Sequence, residues 1–366
     1  MIATRNRLSR YAAAVMAAVV VAILAGCDAA PAHPTAAGTP TMSPRPSRPV
    51  RAVDGWSAVA GSHALIHQLI RAPWGALYAG TTQGVYASAD DGAAWRSLGQ
   101  GFPGPGIEAW GVAAIVGRGG DAVLATCGDG AVYRLPRAGG RWTRSTTHIG
   151  SLGAYAILAL PGGAVLAGSD EGIFRSADGG RSWRQTARLA VGGAVAAFAR
   201  DPSDGPGGAG GTIYAGLAGL PDSLRASSDG GRSWRLPAQP LPPPSVEALL
   251  ATPEHVYAGV MGARQPIWSG GSRGFTSLAR GLPPDVHGMA LAATGATNGL
   301  LFMGSMGTGV YMSAYASPSA TRVYGPWTRL GQGPGDGVVT ALLTLPGPRP
   351  VLLAGTGEGI YRLRLP

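Results

Sequence analysis

The sequence predicts an all-β fold, a seven-bladed β-propeller whose blades are four-stranded antiparallel sheets. Three observations carry this. A unit of apolar strand, Gly-containing turn and short aromatic strand recurs seven times, from LYAGTTQGVYASADDG starting at Leu77 to VLLAGTGEGIYRL near the end. Marking each unit by one residue of its aromatic strand gives Tyr86, Tyr133, Phe174, Arg225, Trp268, Tyr311 and Tyr361, in steps of 47, 41, 51, 43, 43 and 50 residues. Three units run on into one spelling, S-x-D-x-G-x-x-W: Ser88, Asp90, Gly92 and Trp95; Ser176, Asp178, Gly180 and Trp183; Ser227, Asp229, Gly231 and Trp234. A period in the forties built from short strands fits a propeller blade, because a lone blade cannot bury both its faces and must stack on neighbours.

Residues 1–26 come first, with Arg5, Arg7 and Arg10 ahead of a 14-residue apolar run from Tyr11 to Leu24. That is the layout of a secretory signal peptide, and the run is short for a membrane span. It ends in Leu24-Ala25-Gly26-Cys27, which resembles the bacterial lipobox. The resemblance implies that the Cys27 sulfur receives a diacylglycerol and becomes the new N-terminus. Residues 27–53 continue from this Cys as Ala, Pro, Thr, Ser and Arg, too polar and Pro-broken to fold, and read as a tether. The expected location is therefore extracytoplasmic, anchored to the cell membrane.

Residues 54–366 hold the repeat. Each blade starts with an inner strand, A, seen in IHQLIRAP, YAILALP, VAAFARDP, VEALLATP, VHGMALAA and VTALLTLP. The YAG-type strand is B and the GVY-type strand is C. Strand D opens with Trp95, Trp142, Trp183, Trp234, Phe275 or Trp327. The seventh unit has no D strand after its C strand, while Trp56-Ser57-Ala58-Val59 precedes the first A strand with no B or C strand of its own. The N-terminal strand is thus expected to complete blade seven and close the ring, leaving no long free edge.

The S-x-D-x-G-x-x-W turns resemble the Asp-box of BNR-type repeats. In that reading the Asp accepts bonds from the turn's own N–H groups, the Gly takes a conformation costly for other residues and the Trp covers the hairpin. Asp-boxes join strands C and D, on the face opposite the D-to-A and B-to-C loops. Asp90, Asp178 and Asp229 are accordingly structural residues.

Charge and cysteine content exclude some functions. The formal net charge is +10, all of the basic residues being Arg. Setting aside three arginines in the signal peptide, and Arg45, Arg48, Arg51 and Asp28 in the tether, leaves about +5 with no basic run, which argues against nucleic acid. With Cys27 assigned to lipid, Cys127 is alone in a B strand, so the mature chain forms no internal disulfide and Cys127 reads as a small core residue.

Candidate binding residues come from the loop face. The B-to-C turns supply Gln83, Asp129, Asp170, Glu171 and Glu358. Aligning the A strands on Ile66, Val195, Val246, Val286 and Val339 places His67, Tyr155, Glu247, His287 and Thr340 at one position near the channel mouth, with Gly111 and Ala196 completing the ring. His and Glu are metal-ligand types, but a solvated channel lining is the simpler reading, and no metal or cofactor is expected.

The Asp-box class includes sialidases, which use three arginines to clamp a carboxylate, a Tyr–Glu nucleophile pair and an acid/base Asp. Their first clamp Arg lies in an R-I-P motif before the first box. The nearest match, Tyr133-Arg134-Leu135-Pro136, falls after the first box on a C strand. A hydrolase with two flanking carboxylates would have to draw on Glu247 with Asp170 or Glu171, among only five glutamates in the chain. Residues 54–366 look more like the exported photosystem II stability and assembly factors, non-enzymatic seven-bladed propellers whose blades read GVYRSTDGGxTW. The expected function is a monomeric, non-enzymatic binding or assembly scaffold for a protein or glycan partner held on the D–A/B–C face. A surface glycoside hydrolase is the alternative.

Overall fold

The structure is a computed structural model. It describes residues 55–365 apart from 62, 103–105, 118–119, 202–210, 238–240, 242–244, 254, 272–273, 296–297, 317–322, 332 and 336. The expected signal peptide, Cys27 and the expected tether lie outside the described residues.

Seven antiparallel sheets follow one another along the chain, each with its first strand innermost and its later strands added outward in order. The A strands are Ile66–Arg71, Ala109–Ile115, Ala154–Ala159, Ala194–Arg200, Ser245–Ala251, Gly288–Ala293 and Val339–Leu345. The repeat register read from the sequence is the register of the sheets. Tyr86, Tyr133, Phe174, Arg225, Trp268, Tyr311 and Tyr361 pair with Ala79, Ala125, Ala167, Ala215, Ala258, Met303 and Ala354 of their own B strands. The B strands are buried along nearly their whole length, as in Leu77–Thr81, Ala122–Cys127 and Val351–Thr356. This suits strands covered on both faces by neighbouring blades. Cys127 is fully buried, and burial first, then the Asp129 charge, pushes its thiol far above the ordinary value, as befits a core residue.

The ring closes as expected. Ser57 and Ala58 pair antiparallel with Arg362 and Tyr361, and the Val59 N–H donates to the Ile360 carbonyl at 2.9 Å. Trp56 packs against the core of the last two blades. Two blades depart from the four-stranded plan. Among the described residues, blade four has three strands, and after Trp234 a single bridge, Ala226 to Arg235, stands at the D position. The stretch that follows, Leu236 to Pro244, contains five prolines, which cannot donate to a ladder. In blade six two short segments, Val323–Tyr324 and Thr328–Arg329, share the D position on either side of Pro326.

Blades meet where a B-strand glycine faces the next A strand. A Cβ on Gly168 would lie 2.4 Å from Val195 Cβ, and one on Gly355 2.6 Å from Ile66 Cγ2 across the closure. Blade two carries Thr126 in place of that glycine, and the A strand paired with it carries Gly111, whose N–H donates to Thr126 Oγ1 at 2.9 Å. The missing side chain has moved to the other partner.

The Asp-box bonds form in all three boxes. Asp178 Oδ1 accepts from Ser176 Oγ and from the N–H groups of Arg181 and Ser182, while Ser182 Oγ donates to Oδ2 at 2.6 Å. Ser88 and Asp90, and Ser227 and Asp229, repeat the pattern. Gly92, Gly180 and Gly231 have φ of 79°, 85° and 79°. They are required for a second reason as well. A Cβ on Gly180 would stand 2.9 Å from Leu124 Cδ1 of the preceding blade, and one on Gly231 2.4 Å from Leu166 Cδ2. The box is thus also a blade-to-blade contact.

Candidate functional site

Every A strand has a β-bulge near its start, one residue without a Cα partner on strand B: His67, Trp110, Tyr155, Ala196, Glu247, Met289 and Thr340. All seven are partly exposed, while the residue before each is buried. A bulge pushes its extra residue out of the ladder and re-aims it. Seven bulges at equivalent places make a ring lining the channel at the D–A/B–C end. The ring contains His67, Tyr155, Glu247 and Thr340 together with Ala196. Trp110 stands in blade two where Gly111 was aligned, and Met289 in blade six where His287 was aligned. His287 lies two residues ahead of the ring, and its Nδ1 accepts the Gly262 N–H at 3.2 Å.

The ring is uneven. Across blades one to three it is aromatic. His67 stacks on Trp110 with ring centroids 4.0 Å apart, and Trp110 meets Tyr155 edge-on at 5.6 Å. His67 Nε2 is 3.4 Å from a Glu108 carboxylate oxygen, without the alignment of a hydrogen bond, and is otherwise buried without a partner. Burial, then the charge of Asp170, pushes the Tyr155 phenol up to about 12, so it stays a neutral hydroxyl. Glu247 is the ring residue of blade five. Burial pushes its carboxyl above the usual range, opposed by a bond from Ser245. Thr340 serves the closure instead, its hydroxyl donating to the Ile66 carbonyl of blade one and to Gly355 O.

The B-to-C turn residues are mostly committed to their own blades. Tyr86, Tyr133 and Tyr361 donate their hydroxyls to Gln83, Asp129 and Glu358, respectively, at 3.0, 2.7 and 3.1 Å. Asp170 accepts from the Leu152 and Gly153 N–H groups of the D–A loop, and Ser151 Oγ donates to Glu171. Burial still raises the Asp170 carboxyl, since it outweighs those two bonds. Among the described residues, no group of three or more His, Cys, Asp and Glu converges as a metal site would. Arg134 is buried in its C strand, and its Nη2 donates to Gly120 O at the opposite end of the blade, far from any clamp at the mouth.

No protein-family model matches this sequence, and no curated protein matches it. Solved structures do. YCF48 bound to D1 peptide is 17% identical with a TM-score of 0.60, over 87% of this chain and 98% of that one. The GH74 xyloglucanase from Xanthomonas campestris is 19% identical with a TM-score of 0.62, over 85% of this chain and 53% of that one. An extracellular domain assigned to a one-component system of B. thetaiotaomicron is 14% identical with a TM-score of 0.60, over 84% of this chain and 39% of that one. The chain thus spans about two fifths of this last structure and about half of the xyloglucanase. At these identities the likenesses show the propeller fold, which hosts binding proteins and enzymes alike.

Proposed function

We propose that this chain is an exported propeller, anchored through a lipid on Cys27 and the tether of residues 27–53, that holds a protein or glycan partner at the channel mouth without transforming it. The observation that carries this reading is the bulge ring, in which His67 stacks on Trp110, Trp110 meets Tyr155 edge-on and Glu247 holds the equivalent position on blade five. Aromatic faces take up an apolar side chain or the C–H face of a sugar, and a carboxylate in the same ring can accept a bond from a donor on the ligand. The similar YCF48 is bound to a peptide, which supports a binding role for this propeller.

A hydrolase reading draws on a separate observation, that burial raises the carboxyls of both Asp170 and Glu247. Hydrolysis of a glycosidic bond needs one raised acid and one ionised partner, and raising both removes the contrast the reaction uses.

Photo-crosslinking on cells that carry the anchored chain separates the two readings, with Cys27→Ala as the unanchored control. A crosslinker at Met289 should trap a partner that one at Ser182, on the Asp-box face, does not. Trapping from Ser182 alone would contradict the channel-mouth reading. Turnover of xyloglucan or a sialoside, lost in Glu247→Gln or Asp170→Asn, would establish the hydrolase instead.

A further inference from the structure

On the opposite face, between blades three and four, three arginines from three different segments meet at one cavity of about 160 Å³. Arg175 comes from the C strand of blade three, Arg200 from the end of the A strand of blade four, and Arg232 from the Asp-box of blade four. Leu160, Pro161 and Ile213 supply apolar wall. Arg175 Nε donates to Gly230 O at 2.9 Å and Arg232 Nη1 to Asp229 O at 2.6 Å. A guanidinium has five N–H donors, so most of them are left over on all three residues.

Among the described residues, no carboxylate makes an ion pair with any of the three. The nearby Asp229 carboxylate is taken up by its own turn, and the Asp201 carboxylate lies beside Gly271 of the next blade. Burial first, then the like charge of Arg232, pulls the pKa of Arg175 below the ordinary arginine value, while Asp229 opposes this. Among the described residues, three guanidiniums against the single charge of Asp229 leave a local excess of two positive charges.

The repeat supplies its own controls. A C-strand arginine also occurs as Arg134 and Arg362, but the blade that follows each lacks one of the other two. After Arg134, blade three has the box residue Arg181, but Ala159 ends its A strand where Arg200 ends that of blade four. After Arg362, blade one has Arg71 at the A-strand end, but Ala93 stands in its box. Only the junction of blades three and four has all three. Each is a long, flexible side chain whose convergence on one cavity is unfavourable unless an anion answers it.

We infer that this cavity is a binding site for a doubly charged tetrahedral oxyanion, such as a phosphate monoester, held by Arg175, Arg200 and Arg232. Guanidinium forks match the edges of such an anion in paired hydrogen bonds, and its two charges balance the local excess. A phosphodiester headgroup of an anionic lipid presents the same oxygens with one charge.

The test is calorimetric titration of the full chain with sodium phosphate, and separately with a soluble short-chain phosphatidylglycerol, at constant ionic strength. Arg200→Gln is the main variant, because Arg200 is not tied to the Asp-box. Arg181→Gln, the matching residue one blade earlier, is the control. The expected result is saturable phosphate binding, weakened about tenfold or more in Arg200→Gln and unchanged in Arg181→Gln. Saturation by phosphate but not by the lipid assigns the site to free phosphate esters. Saturation by both, each lost in Arg200→Gln, assigns it to lipid headgroups as well. Lack of saturation by either, or equal affinity in Arg200→Gln and the unsubstituted chain, would overturn the inference. A melting curve of Arg200→Gln equal to that of the unsubstituted chain separates lost binding from lost folding.

Discussion

Asp178 shows how much of this molecule a single side chain can specify. Burial by itself would raise its carboxyl, but bonds from Ser182 Oγ, the Ser182 N–H, Ser176 and the Arg181 N–H outweigh it and hold the value at about 2, as they do at Asp229. In the unfolded chain the same groups titrate near 4. A carboxyl depressed on folding adds stability that is present above the unfolded value and lost as pH falls through the folded one. The boxes should therefore weaken between about pH 4 and pH 2. Asp170 and Glu247, raised on folding, act in the opposite sense over higher pH, so a comparison of variants isolates the box. Asp178→Ala should lower stability by about 1 kcal/mol at pH 7 and show a smaller loss below pH 4 than the unsubstituted chain. Chemical denaturation along a pH series measures both. The boxes were legible in the sequence because the bonds made by their Ser and Asp side chains are local, within four residues. The ring was legible where a large apolar residue, Ile66, Val195, Val246 or Val339, stands just before the bulge, and at Tyr155, which follows Ala154. Ala109 and Gly288 occupy that place in blades two and six, so the apolar signal was absent and Trp110 and Met289 were passed over for Gly111 and His287.

At the scale of the element, two devices hold neighbouring strands together, and each makes a prediction. The exchange of Gly and Thr between the paired strands of blade two implies coupling. A Cβ on Gly111 would lie 2.5 Å from Thr126 Oγ1 and 2.9 Å from Tyr155 O of the next blade, so Gly111→Ala should cost about 1–3 kcal/mol, and Thr126→Gly in the same chain should recover the part due to Thr126. Simple additivity in that double-mutant cycle would contradict the exchange. The closure strand is the second device. Deleting 55–62 uncovers the C strand of blade seven and removes the Trp56 contact, whereas deleting 35–49 falls outside the repeat. Thermal unfolding should show a lower midpoint for the first deletion alone. The donated strand was readable because an unpaired fragment at one end matched a vacancy at the other. Among the described residues the D position of blade four keeps a single bridge, Ala226 to Arg235, and Pro237 stands two residues beyond it.

The whole molecule divides its labour between two ends. Stereotyped turns at one end tie each blade to the one before it, through Gly180 on Leu124 and Gly231 on Leu166. The other end gathers one variable residue per blade into a ring, and the loops there differ from blade to blade in length and polarity. The sequence showed seven blades and a closed ring because repetition averages out local ambiguity. It showed the chemistry of the ring incompletely, because the bulge residue follows the apolar anchor by one position in four blades but by three in blade six, where Met289 comes after Val286. The account stands or falls on where binding energy resides. Partner capture and melting temperature should be measured together for Trp110→Ala, Glu247→Gln and Trp183→Ala in the full chain. The account predicts that the first two lose capture by tenfold or more with nearly unchanged melting, while Trp183→Ala, which removes a buried indole, loses about 3 kcal/mol of stability yet keeps capture by its folded fraction. Capture retained in both Trp110→Ala and Glu247→Gln but lost in folded Trp183→Ala would contradict it.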